Sequence, residues 1–346
     1  MNPSTLRSLL ICTLLPVLGF GQAVLPAKKV VFTSNQRLSE SDIRELRLAA
    51  PSLNIVFPAR DALDKEIVDA DAIVGGINRE QFLSAKKLKW VQITSAGVEN
   101  YLTNIPELTN SPVTMTNMKI VQGIEIADHA LALLLGLTRR LDIAMKDRET
   151  ETWRPLAQYG PPLELHGKTA VVVGVGGIGT QIAVRAKAFG MTVIGVDPKD
   201  IPYAPFLDRT VWPDRLDSVL PEADVVFVSA PHTPETDKMF KAEQFAKMKK
   251  GVLFIAVSRG KIYDNMALVE ALESGHVAGA GLDVTETEPL PKGHPLWKTG
   301  RVIITPHIAG RSDGEGPRYF EIYKDNLIRF AKGEPLRHTV DKEKGY

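Results

Sequence analysis

Between residues 28 and 94, short apolar runs alternate with amphipathic stretches. Lys28-Lys29-Val30-Val31-Phe32-Thr33 reads as a strand, and 39–50 as a helix in which Ser39 and Asp42 make a partial capping box. Further strands are expected at 55–57, 72–76 and 90–94, with a helix at 79–87. Strands alternating with helices predict a parallel sheet covered on both faces. An apolar stretch around 130–137 predicts one long helix over 124–145. Asp128, His129, Arg139 and Arg140 break its apolar character, which suits a helix buried between domains or subunits rather than a membrane span. A proline-containing connector covers 153–162, and a second alternating series follows. Its strands are expected at 169–174, 192–197, 225–229, 252–256, 279–283 and 302–305, its helices at 178–189, 265–274 and 317–331. The chain is therefore α/β twice over, with two doubly wound parallel sheets.

A length of 346 residues has room for two such domains. The 42 basic and 41 acidic residues nearly cancel and gather in no basic stripe, which argues against nucleic acid as a partner. The single cysteine, Cys12, excludes disulfides within the chain and cysteine-ligated zinc or iron–sulfur sites. No metal site is expected. Residues 1–27 stand apart from the α/β pattern. Arg7, the apolar run 9–20 and Gly21-Gln22-Ala23 supply the three parts of a secretory signal peptide, with cleavage after Ala23. Export to the periplasm or medium is the expectation, and a cytoplasmic chain with an N-terminal extension is the alternative.

Val171-Val172-Val173-Gly174-Val175-Gly176-Gly177-Ile178-Gly179 is a strand followed by G-x-G-x-x-G and a helix. Gly174 permits the tight turn, Gly176 lets the backbone approach a pyrophosphate, and Gly179 lets the helix pack close to the strand. The helix N-terminus attracts the phosphate charge. The next strand ends at Asp197, at the distance a dinucleotide fingerprint requires. An acid there accepts hydrogen bonds from the ribose hydroxyls and repels a 2′-phosphate, favouring NAD over NADP. Lys199 works against that preference.

Three more segments follow strands, where open α/β sheets place ligands. They are Val257-Ser258-Arg259-Gly260, the run from Asp283 to Leu290, and Thr305-Pro306-His307-Ile308-Ala309-Gly310. Arginine, glutamate and histidine suit the reduction of a 2-oxo acid: a guanidinium holds the carboxylate, an imidazolium protonates the developing alkoxide, and a carboxylate orients the imidazole. Spacing alone leaves open whether the three meet, and whether Glu286 or Glu288 is the partner. His129, His166, His276 and His338 have no partner pattern and read as surface or helix-packing residues.

From Lys28 to Tyr346 the sequence resembles the D-isomer-specific 2-hydroxyacid dehydrogenase family. The resemblance rests on 167–179, Phe189-Gly190-Met191, His232-Thr233-Pro234-Glu235-Thr236, Ser258-Arg259-Gly260, Gly281-Leu282-Asp283-Val284, Glu288-Pro289, His294-Pro295-Leu296-Trp297 and Thr305-Pro306-His307, in family order. It implies two Rossmann-like domains with the site in the cleft between them: a substrate domain of 28–126 plus 309–346, and an NAD-binding domain of 127–308. It implies Arg259, Glu288 and His307 as catalytic residues. Ala96, Gly97 and Val98, together with Arg259, would bind the substrate carboxylate, the loop through backbone N–H groups. The implied cofactor contacts are Gly174, Gly176, Gly177, Ile178, Gly179, Asp197, Pro231, Thr236, Val257, Ser258 and Asp283. The implied partner is a small 2-oxo or 2-hydroxy acid, and the implied assembly a homodimer to which the helix from Ile124 contributes. No regulatory domain is expected beyond Tyr346. Two departures touch the cofactor side: Ala256 stands where the family often has Asn, and Gly177 where a basic residue is common. The rival reading is a non-catalytic, NAD-responsive binding protein on the same fold; the intact Arg259, Glu288 and His307 argue against it.

Overall fold

The computed structural model describes residues 27–33, 38–202 and 204–346. The expected export signal and its cleavage point lie outside the described residues. The first unit runs β1 (Lys28–Phe32), α1 (Glu40–Ala49), β2 (Leu53–Val56), α2 (Leu63–Ile67), β3 (Ala72–Val74), α3 (Arg79–Ser84), β4 (Trp90–Gln92), α4 (Glu99–Asn104), α5 (Pro106–Thr109) and β5 (Thr114–Thr116). Its strands form a parallel sheet in the order β2-β1-β3-β4-β5. The Ser39 hydroxyl accepts from Asp42 N, and the Asp42 carboxylate accepts from Ser39 N, so both arms of the α1 capping box are present.

Two helices, α6 (Gly123–Thr138) and α7 (Leu141–Glu149), lead to the second unit. It contains β6 (Thr169–Val173), α8 (Gly177–Ala188), β7 (Thr192–Val196), β8 (Arg209–Val211), α9 (Leu216–Val219), β9 (Val225–Val228), α10 (Ala242–Lys247), β10 (Val252–Ala256), α11 (Asn265–Glu273), β11 (Val277–Leu282) and β12 (Val302–Ile304). Its parallel sheet has the order β12-β11-β10-β9-β6-β7-β8. The order reverses between β6 and β9, which opens a crevice at their carboxyl ends.

The last helix, α12 (Glu315–Lys332), returns to the first sheet. Tyr319, Tyr323, Leu327 and Phe330 form its buried stripe, and Phe330 lies against Trp90 with ring centroids 5.3 Å apart. The Tyr319 hydroxyl also donates to Thr94 O over 2.6 Å.

Several expected elements differ. The helix predicted over 124–145 is broken: α6 ends at Thr138, Arg140 adopts a left-handed φ of 62°, and α7 starts afresh. The apolar period ends at Leu137, and Leu163 N donates to the Thr138 carbonyl, so the chain turns where burial stops. The helix predicted at 79–87 stops at Ser84, whose hydroxyl donates to Gln81 O. Edge strands β5 and β8, with only three residues each, were not expected.

Candidate active site

At the crevice, Gly174 takes φ 88° and packs so closely on the backbone just after β9 that a Cβ would lie 2.5 Å from Ala230 N. Ser229 seals this contact by donating to Gly174 O over 2.7 Å. A Cβ on Gly179 would overlap Gly174 O, so the start of α8 is pressed against the turn. At Gly176 a Cβ would meet nothing within 4 Å, which leaves open space over the N-terminus of α8. The first-turn N–H groups of α8 have no intrahelical partners. This cradle fits a dinucleotide pyrophosphate. Gly177 faces elsewhere: a Cβ there would sit 2.8 Å from Lys119 O. The close pass of the 119–120 backbone explains why this chain carries no basic side chain at that position.

Asp197 stands at the end of β7, beside the same turn. Its carboxylate accepts from Val175 N at 2.8 Å and Lys199 N at 2.9 Å, which holds it at the lip of the glycine loop where a ribose would lie. Pro231 and Thr236 form a turn after β9, closed by the Thr236 hydroxyl donating to Pro231 O over 2.8 Å. Val257 and Ser258 follow β10, both buried, and each donates to Val228 O. The hydroxyls of Thr236 and Ser258 are thus engaged within the protein.

Asp283 follows β11 and is 2% exposed. Its carboxylate accepts from the Thr305 hydroxyl at 2.6 Å and from Ile308 N and Ala309 N at 3.0 Å each. Its carbonyl accepts from His307 N at 2.9 Å. Asp283 therefore anchors the loop that carries His307. The network reaches α6 through His129, whose Nε2 lies 2.8 Å from the Thr305 hydroxyl and 3.6 Å from Asp283. The reading of His129 as partnerless is corrected: its partners come from the far end of the chain. The wholly buried Tyr263 supports the neighbouring turn, donating to Val284 O over 2.6 Å, and burial pushes its phenol well above the ordinary range.

His307 has a φ of 53°, a left-handed conformation that is costly for a residue with a Cβ. This backbone turn presents the ring to the cleft. Its Nδ1 lies 2.7 Å from Glu288 Oε2, and Glu288 Oε1 accepts from Thr285 N at 3.1 Å. Glu286 points away and pairs with Lys238 at 3.1 Å.

The opposite wall comes from the first sheet. After β4, residues 95–98 form a loop in which Ser95 Oγ donates to Gly97 O over 2.6 Å and Asn117 donates to Ala96 O over 2.7 Å. Among the described residues, no acceptor pairs with the N–H groups of Ala96, Gly97 or Val98. Arg259 crosses from the second sheet to this loop, and a Cβ on Gly97 would overlap its Nη2. Arg259 donates from Nη1 to Ser258 O at 2.7 Å and from Nε to Glu99 Oε1. Glu99 was not singled out by the sequence reading. Its signal was a carboxylate two residues beyond the loop glycine. Burial pushes the Glu99 carboxyl up, but the Arg259 charge and hydrogen bond outweigh it and hold the group below the usual carboxylate range.

Residues 131–309 match the pattern of the D-isomer specific 2-hydroxyacid dehydrogenase NAD binding domain. The glyoxylate reductase of Korarchaeum cryptofilum (strain OPF8) is 34% identical over 295 residues, which span 83% of this chain and 87% of that protein. The D-3-phosphoglycerate dehydrogenase of Bacillus subtilis (strain 168) is 37% identical over 274 residues, 77% of this chain and 49% of that protein. The solved D-isomer specific 2-hydroxyacid dehydrogenase of Xanthobacter autotrophicus Py2, in complex with NADPH and MES, superposes with a TM-score of 0.76 at 27% identity, covering 92% of this chain and 100% of that one. Sequence, two-sheet architecture and cleft chemistry agree: the chain belongs to the D-isomer specific 2-hydroxyacid dehydrogenase family.

Proposed function

We propose that this protein interconverts small 2-oxo acids and D-2-hydroxy acids with NAD(H), in the cleft between its two sheets. The observation that carries the reading is the pairing of His307 with Glu288 on one wall, with Arg259 laid against the Gly97 loop on the other. NAD, when bound, supplies the hydride donor and acceptor. The chain's own residues do the rest. Arg259 and the free N–H groups at 96–98 hold the substrate carboxylate. Glu288 takes the hydrogen bond of His307 Nδ1, which fixes the ring and leaves Nε2 to give or take the proton at the substrate oxygen. Gly176 and the N-terminus of α8 cradle the cofactor phosphates on a turn that Gly174 and Gly179 shape, and Asp197 meets the ribose. The likeness to a glyoxylate reductase supports a small substrate. The test is NADH oxidation with glyoxylate, pyruvate and hydroxypyruvate in turn. Turnover of one of them is expected; a protein that binds NADH yet reduces none would overturn the reading.

The assembly we propose is a homodimer through α6 and α7. The support is that Ile124, Leu141 and Met145 on these helices are apolar and 39%, 50% and 64% exposed, a surface that a second copy would cover. Light scattering should give twice the chain mass. The localisation we propose is outside the cytoplasm, supported by Arg7, the apolar run and Ala23. N-terminal sequencing from the native host should find a chain starting at Val24; a cytosolic chain starting at Met1 would refute export.

A further inference from the structure

We infer that Glu99 is a specificity-determining residue that restricts the substrate to 2-oxo acids bearing a single negative charge. The inference rests on the proposed role of Arg259 in holding the substrate carboxylate. A guanidinium offers two edges to carboxylates, one through Nε and one through its terminal nitrogens. Glu99 occupies the Nε edge and the Ser258 carbonyl takes one proton of Nη1. Nη2 is pressed against Gly97, where Glu99 Oε2 also crowds the loop. A substrate carboxylate therefore reaches Arg259 only beside the fixed negative charge of Glu99.

Two basic side chains of this region, Arg79 and His232, are already engaged with carboxylates. The Tyr101 hydroxyl stands near Gly76, 3.4 Å from where a Cβ would be; a phenol is neutral at neutral pH, and burial pushes this one further up. Arg79, the first residue of α3, is held by both carboxylate oxygens of Glu107 at 3.0 and 3.1 Å. His232, which adds to the field on Glu99, is itself bonded to Asp237 at 2.8 Å. A ligand with a second charge near Arg259 thus meets the negative charge of Glu99, and Arg79 and His232 are both committed elsewhere. At partly buried separations of a few ångströms, such a charge changes affinity on the order of tenfold or more.

The experiment uses the full-length protein loaded with NADH and two anions of almost equal shape, oxamate with one charge and oxalate with two. Calorimetry on wild type should find oxamate bound at least ~10-fold more tightly than oxalate. Glu99→Gln keeps an acceptor for Arg259 Nε and removes the charge. It should strengthen oxalate binding ~10-fold relative to oxamate, and raise kcat/KM for oxaloacetate against that for glyoxylate by a similar factor. Glu99→Asp keeps the charge and should keep the monoanion preference. A wild type that binds oxalate as well as oxamate overturns the inference without any variant having to fold. An unchanged oxamate-to-oxalate ratio in Glu99→Gln overturns it too, and leaves the reading of the cleft intact so long as oxamate competes with glyoxylate. Failure of both anions to bind the NADH-loaded protein would remove that reading and this inference together.

Discussion

At Gly97 a single hydrogen atom decides whether the carboxylate cradle can form. A methyl group there would overlap Arg259 Nη2 and come within 2.6 Å of Glu99 Oε2, so the guanidinium would have to withdraw from the loop. Gly97→Ala should raise KM for the 2-oxo acid roughly tenfold or more while the Kd for NADH stays put, because only the substrate wall moves. Stopped-flow fluorescence and steady-state kinetics separate the two. Arg259→Lys keeps the charge and loses the planar fork, since one ammonium cannot reach Glu99, the Ser258 carbonyl and a substrate together. It should lower kcat/KM by on the order of 10²-fold; near-normal kinetics would mean that another cation holds the substrate. His307→Ala should cost roughly 10²–10⁴-fold in kcat, the scale of a positioned acid–base group. Glu288→Gln should reduce the rate and Glu286→Gln should not, because only Glu288 touches the ring while Glu286 pairs with Lys238.

The elements behind these residues act as anchors, and Asp283 is the clearest case. With one carboxylate it holds the Thr305 hydroxyl and two backbone N–H groups, so the loop after β12 is tied to the end of β11. Asp283→Asn offers one oxygen where two are used and brings a donor amide against backbone donors. The expected loss is about 1–3 kcal/mol by urea denaturation, with a larger fall in kcat than in NADH affinity as His307 loosens. Much of this scaffold was legible in the sequence. The central strands read clearly because they are buried on both faces, as Val252–Ala256 is throughout. The glycine loop read clearly because its backbone turns demand glycine. The edge strands β5 and β8 did not: Thr114–Thr116 and Arg209–Val211 are short and polar, and their pairing is decided by neighbours distant in sequence. The break after Thr138 escaped because it depends on Leu163 N reaching back to its carbonyl. His129 and Glu99 escaped for one reason, that their partners lie 176 and 160 residues away.

On the scale of the whole molecule, the cleft is closed by backbone packing on one side and by an ion pair on the other. Gly123 at the start of α6 passes so near the glycine loop that a Cβ would lie 2.7 Å from Gly177 O, which fixes the hinge side. Across the mouth, the Glu99–Arg259 pair joins the first sheet's loop to the second sheet. This pair makes closure depend on pH. Burial raises the Glu99 carboxyl, and the Arg259 charge and hydrogen bond, helped by His232, bring it below its ordinary value. A carboxylate whose pKa is lowered by folding contributes stability above its unfolded pKa, and that contribution disappears as pH falls through the folded pKa. Wild type should therefore exceed Glu99→Gln in stability by roughly 1–1.5 kcal/mol at neutral pH, the worth of a charge-assisted hydrogen bond over a neutral one. The difference should shrink as pH falls below the ordinary carboxylate range and vanish once Glu99 is protonated. Urea titrations of both proteins at a series of pH values measure it directly. A difference that stays constant into strong acid would mean that Arg259 does not hold Glu99 in solution, and that the cleft is closed by the hinge alone.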